Sequence, residues 1–288
     1  MMKKETKKDA LEVPLVPDEE TTVEKPIEDI KKEVAAVVAE AVAPEEVARV
    51  KPEERRTFDI ESWKPKTALG MKVKQGEVTD IYEVLTSGAK ILEAGIVDAL
   101  IPNIENDLLL VGQSKGKFGG GKRRVFRQTQ KKTKEGNKPK FATFAVVGNQ
   151  KGILGMGYGK AKETVPAREK AMRNAKLNLI RVRAGCGSWQ CGCKTAHSLP
   201  FAVTGKCGSV EIKLIPAPKG TGLAVEGECK KLLKMAGIKD IWSRTSGKTE
   251  TRINLMIACF EALKKTYTTK VQPGTMEALG IVEDVAHV

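Results

Sequence analysis

Two stretches of this 288-residue chain carry residue types at spacings that do chemistry. GMGYGKAKE, Gly155–Glu163, puts glycine at alternate positions ahead of lysine, a pattern of bare backbone and cation suited to phosphate. Cys186, Cys191, Cys193 and His197 put three thiols and an imidazole within twelve residues, a ligand set for a tetrahedral zinc. A nucleotide phosphate is the least favoured of three readings for the first stretch. A P-loop needs a hydroxyl after Gly159-Lys160 and a glycine at Leu154, and Ala161 follows the lysine instead. The dinucleotide fingerprint needs a third glycine where Lys160 stands. A structural hairpin and a loop on the backbone of a nucleic acid rank ahead of that reading.

For the second stretch, plain packing is preferred over metal. The C-x-C spacing is tighter than the usual zinc knuckle, and Trp189 and Leu199 beside it suit an apolar interior. Cys207, Cys229 and Cys259 read as core thiols, so no cofactor is expected. His197 and His287 are the only histidines, which leaves little for acid–base chemistry near neutral pH. No nucleophile–base pair or carboxylate dyad can be assembled; Glu169, Glu211, Glu226 and Glu228 read as solvent-facing or helix-start acids. An enzyme and a small-molecule substrate are not expected.

Charge separates the alternatives for the glycine-lysine stretch. Residues 1–113 carry a balance of −8, residues 114–183 one of +17, and residues 184–288 one of +5. Seventy residues at +17 repel one another unless a polyanion is present, so a nucleic acid is the expected partner. No apolar run approaches the roughly 18 residues of a membrane span. The N-terminus lacks the apolar core of a signal peptide, and the thiols suit a reducing cytosol.

The elements that must position these residues follow from periodicity. Residues 1–56 are rich in Glu, Lys, Ala, Val and Pro and are expected to be disordered. Thr79 caps a helix with Ile81, Val84 and Leu85, continued by Ile91 and Leu92, and Asp107–Val111 is strand-like. Lys122–Lys134 reads as a strand, Glu135–Pro139 as a turn, and Phe141–Val147 and Ile153–Tyr158 as strands. A helix starts near Pro166 with Ala167, Ala171, Ala175 and Leu179 on one face, and GMGYGKAKE is the loop before it. This α-β-β-β-α order is that of a double-stranded RNA-binding domain, where a glycine-rich turn and lysines meet backbone phosphates. A second unit runs β-β-α-β-α. Its strands are Phe201–Gly205, Ser209–Ile215 and Ile238–Arg244, and its first helix is Glu226–Ala236. Its last helix, capped by Thr249, carries Ile253, Met256, Ile257, Phe260 and Leu263, and the final twenty residues are a tail.

Five segments carry a longer likeness: VVGNQKGILGMGYGKAKE, AKLNLIRVRAGCGSW, HSLPFAVTGKCGSVEIKLIPAPKGTGL, AGIKDIW and CFEALKKTY. Together they resemble the universal small-subunit ribosomal protein S-five family over about Trp63–Tyr267. Cys186–Trp189 ahead of His197–Pro200 resembles its archaeal branch; eukaryotic relatives manage without these cysteines. The resemblance implies an α+β chain of two domains. A double-stranded-RNA-binding-like unit over 57–190 is followed over 191–270 by a domain with a left-handed β-α-β crossover. Flanking tails span 1–56 and 271–288.

It also implies a cytoplasmic structural constituent of the small ribosomal subunit that binds rRNA at the head–body junction. The loop Lys131–Lys140, with Lys131, Lys132, Lys134, Lys138 and Lys140, would approach the path by which messenger RNA enters. The rRNA contacts would be Lys122, Arg123, Arg124 and Arg127 with Gly157, Gly159, Lys160 and Lys162. The C-terminal domain would touch ribosomal proteins S-four and S-eight, the former contact affecting decoding accuracy. Two departures from the family pattern are the glycine-rich run 116–121 and the acidic segment up to Arg56. A free-standing RNA-binding or RNA-chaperone module is the alternative.

Overall fold

The computed structural model describes residues 60–114, 116 and 123–282. The segment 1–56, expected to be disordered, lies outside them, as do Lys122 and residues 117–121 of the glycine-rich run.

Three short helices come first: α1 (Ala68–Gln75), α2 (Ile81–Thr86) and α3 (Ala94–Leu100). In α1 only Leu69 and Val73, four residues apart, face the apolar cluster, and the helix is fixed at its ends. The Thr67 hydroxyl accepts the Gly70 N–H at 3.1 Å, and Gly76 closes the helix in the left-handed region. In α2 the N-cap is Asp80 and not the expected Thr79. Ile81, Val84, Ile96 and Val97 pack on Ile153 and Leu179, whereas Leu92 leaves that face and is 66% exposed.

The first sheet is built on one long strand. It comprises β1 (Glu105–Leu109), β2 (Arg127–Thr133), β3 (Gly136–Gly148), β4 (Ile153–Ala161) and β5 (Leu179–Arg181). β1 pairs with residues 144–148 of β3 and β2 with residues 136–142; β4 pairs with β3, and β5 with β4, all antiparallel. The turn expected at Glu135–Pro139 is shorter: Thr133 pairs with Gly136, so Asn137–Pro139 already belong to β3. Gly136, at φ 108°, makes that tightness possible. Pro139 is tolerated because β4 pairs with β3 only from Phe141 onward, which leaves one side of the strand unpaired there.

Helix α4 (Thr164–Leu177) lies on one face of this sheet and buries Ala167, Ala171 and Ala175. It begins two residues before Pro166 and stops before Leu179, which starts β5 and was expected on the helix. The second sheet holds β6 (Val203–Cys207), β7 (Val210–Pro216), β8 (Leu223–Ala224) and β9 (Ile241–Ser246) in the order β6-β7-β9-β8. Only the β8–β9 pairing is parallel, and α5 (Gly227–Ala236) makes the connection between them. The fold is thus mixed α+β with two sheets.

Helix α6 (Arg252–Thr268) follows, with Thr251 at its N-cap in place of Thr249. The stretch expected to be a plain tail carries α7 (Pro273–Ala278) and returns to the body. Val282 N–H donates to Ala184 O at 3.0 Å, and Cys186 N–H to Leu279 O at 2.9 Å.

One apolar core joins the two sheets. Phe144, Val146, Leu154 and Met156, on the face of the first sheet away from α4, share a cluster with Leu214 and Leu233. Glu228, a helix-start acid in the first turn of α5 as expected, is buried there and accepts the Leu110 N–H at 2.8 Å.

Candidate nucleic-acid interface

GMGYGKAKE is a strand and not a loop. Gly155, Gly157 and Gly159 lie at alternate positions of β4 and face α4. A Cβ added at Gly157 would fall on the backbone N of Ala175 and O of Ala171; one at Gly159 would fall on Ala167 O and Ala171 N. Three glycines of the strand and three alanines of the helix form a seam that brings the two backbones together. The glycines are explained by this packing, because α4 occupies the face on which a phosphate would have to sit. None of the three adopts a positive φ.

The lysines and the aromatic between them go to the other face. Side chains alternate along a strand and match across a pair, so the register sets Arg127, Ala142 and Lys160 in a row across β2, β3 and β4. The same face carries Lys140 opposite Thr129, and Lys138 opposite Lys131. Arg127, Lys131, Lys138, Lys140 and Lys160 are all exposed. Tyr158, on the same face and 42% exposed, packs against Phe144 with ring centroids 5.0 Å apart and the rings tilted by 47°. Directly opposed like charges such as Lys131 and Lys138 destabilise a hairpin by themselves. Glu135 pairs with Lys138 at 2.7 Å, but both side chains are largely solvated, so this relieves little.

The remaining expected residues scatter around this strip. Lys132 projects from the reverse face of the hairpin, and Lys134 occupies its turn. Arg123 and Arg124 precede β2, where Arg124 exchanges backbone hydrogen bonds with Gly112 and Gln113. Lys162 lies exposed between β4 and α4, and Arg168 and Lys170 of α4 are exposed as well. Tyr158 was not among the expected site residues; a strand reading of G-x-G-x-G would have put it on the face with Lys160.

The cysteine–histidine stretch forms a second cluster. The ligand atoms of Cys186, Cys191, Cys193 and His197 all lie within 4.8 Å of one another. His197 Nδ1 and Asp240 Oδ2 are 2.9 Å apart, with both side chains 6% exposed. The Thr195 hydroxyl and N–H hold the Cys193 thiol down to about 6, and burial pushes Cys186 up to about 11. Leu199 is buried as packing requires, but Trp189 is 88% exposed. Cys229 and Cys259 are buried core thiols, and the hydrogen bond to Cys259, with burial, raises the Cys229 thiol. Cys207 is half-buried.

Comparison with known proteins gives the same chain two neighbouring matches. Residues 122–183 match the family model for ribosomal protein S5, N-terminal domain, and residues 205–273 that for ribosomal protein S5, C-terminal domain. The small ribosomal subunit protein uS5 of Nanoarchaeum equitans is 46% identical over 225 residues, 78% of this chain and 96% of that protein. Its counterpart in Methanocaldococcus jannaschii is 46% identical over 226 residues, covering 78% and 97%. That of Methanosphaera stadtmanae is 44% identical over 226 residues, covering 78% and 93%. With archaeal relatives this similar over nearly their whole length, the chain belongs to the ribosomal protein S5 (uS5) family, in its archaeal form.

Proposed function

We propose that this chain is a structural, non-catalytic constituent of the cytoplasmic small ribosomal subunit and binds rRNA through the cationic face of β2, β3 and β4. The observation that supports this reading is the row of like charges on paired strands, Arg127, Lys131, Lys138, Lys140 and Lys160, with Tyr158 among them. Such a face is stable beside phosphate and self-repelling without it. Lys162, the half-buried Arg123 and the exposed Arg124 extend the same contact.

The helix–sheet unit of β2–β4 and α4 then acts like a double-stranded RNA-binding domain, reading the phosphates of a groove. In this reading it holds the head–body junction, and the hairpin tip with Lys131, Lys132, Lys134, Lys138 and Lys140 reaches toward the path of entering messenger RNA. The β8–α5–β9 connection takes the left-handed crossover, an exception to the usual hand. That second unit, 191–270, docks on ribosomal proteins S-four and S-eight and acts on decoding accuracy through the former.

The test is sedimentation of reconstituted small subunits in high salt. The parent protein stays with the subunit, and the triple variant K131A/K138A/K140A is stripped off at lower salt. A parent protein that washes off as easily as the variant would instead favour a free-standing RNA-binding module.

A further inference from the structure

The segment between β5 and β6 is arranged around its thiols more closely than packing demands. We propose that Cys186, Cys191, Cys193 and His197 bind one zinc ion, with Asp240 as the positioning residue for His197. The inference is independent of rRNA binding.

Distance is the first support. In a zinc tetrahedron with Zn–S about 2.3 Å and Zn–N about 2.0–2.1 Å, ligand atoms stand roughly 3.5–3.8 Å apart. Here all four lie within 4.8 Å of one another, and Cys191 Sγ stands 3.9 Å from His197 Nε2. Rotamer adjustments that bring the widest pair about 1 Å closer complete such a set. Three sulfurs and one nitrogen in a tetrahedral arrangement select zinc over the hard cations, which take oxygen.

The second support is the far side of the imidazole. Nδ1 donates to Asp240 Oδ2 at 2.9 Å, so Nε2 is the nitrogen left facing the sulfurs. Asp240 is itself fixed: its Oδ1 accepts the N–H groups of Gly220 and Gly222 at 3.1 and 2.8 Å. The N–H groups of Lys239 and Asp240 donate in turn to His197 O at 2.9 and 3.1 Å. A buried carboxylate that orients an imidazole toward soft ligands is the arrangement found behind metal-bound histidines. A packed core histidine needs no thiols at its other nitrogen.

The third support is what the loop lacks without a metal. Beyond Arg181 the chain runs to Val203 with no strand or helix. It is held by paired bonds between Gly185 and Ser198 and by Gly187 N–H to Leu199 O. Lys194 follows Cys193 at φ 51°, a strained turn for a side-chain-bearing residue that a ligated Cys193 would fix. Zinc would tie both ends of this connection between the two sheets, releasing the thiol protons as it binds.

The full-length protein, expressed with added zinc and purified without a metal-chelating tag, is assayed for metal content. About one zinc per chain is expected. C193S, which changes a half-buried ligand and spares the core, should lose at least nine-tenths of it, and C207S, outside the cluster, none. D240N should weaken zinc about 10–100-fold in competition with a chelating dye. Cobalt loaded in place of zinc should show intense tetrahedral bands in the parent and not in C193S. Less than a tenth of a zinc per parent chain, equal zinc in parent and C193S, or a disulfide within the cluster in freshly purified protein would each overturn the site. Unchanged affinity in D240N would overturn the role of Asp240.

Discussion

At the scale of single residues, Gly157 shows how one sequence pattern serves two different physical ends. Alternating glycines before a lysine suit a phosphate loop, yet here they remove side chains so that α4 can lie on β4. The two accounts predict different damage. Gly157→Ala should destabilise the fold by about 1–3 kcal/mol, because its methyl has only backbone to displace. Gly227→Ala, at the open first position of α5 with nothing within 4 Å, should be neutral or slightly stabilising. Urea unfolding of the two variants decides the matter; equal midpoints would remove the seam from the account. Lys160→Ala, on the solvent side of the same strand, should leave the midpoint unchanged and affect only RNA binding. Glycine without a side chain does not say which face it serves. The signal that does is Ala167, Ala171 and Ala175 at spacing four, the other half of the seam.

At the scale of elements, the β2–β3 hairpin projects past the point where β4 stops pairing, so its lysines reach outward from a rigid base. If they meet phosphate, each lost contact lowers the slope of log affinity against log salt by roughly 0.7–0.9, whatever the RNA sequence. The pair Lys131→Ala and Lys138→Ala should therefore flatten that slope and leave thermal stability equal or slightly higher, since a like-charge pair has gone. A slope identical to the parent's would rule the hairpin out as a phosphate contact. Strands β3, β6 and β7 and helices α4, α5 and α6 were legible in the sequence because each has a full apolar period of its own. β5, with three residues, β8, with two, and α7 were not, because pairing and docking define them. The cysteine cluster was visible as a spacing, but its convergence depends on how the loop from 182 to 202 closes on Asp240, which no local pattern encodes. Trp189 misled for a related reason: its bulk argued for burial, and its place at the outside of that loop left it in solvent.

At the scale of the whole described molecule, the two sheets are bound by a common interior and by α5. Leu154 and Phe144 of the first sheet cluster with Leu214 and Leu233 of the second unit. Gln150 N–H donates to Met235 O at 3.0 Å, and Leu110 N–H to Glu228 at 2.8 Å. Glu228→Ala would leave that half-buried N–H without its carboxylate, at a cost of about 1 kcal/mol. A core shared in this way makes unfolding cooperative across sequence segments that match two separate family models. Leu154→Ala gives the sharper test, because Leu154 is fully buried in β4 and its truncation leaves a cavity costing about 2–5 kcal/mol. Hydrogen exchange read on peptides from β4 and from β7 should then lose protection together and by the same free energy. Were the sheets independent, protection in β4 would fall while that in β7 stayed at the parent level. Equal losses in both mean that the cationic face of β2–β4 and the unit behind it respond as one body, so strain at the hairpin reaches whatever the second sheet touches.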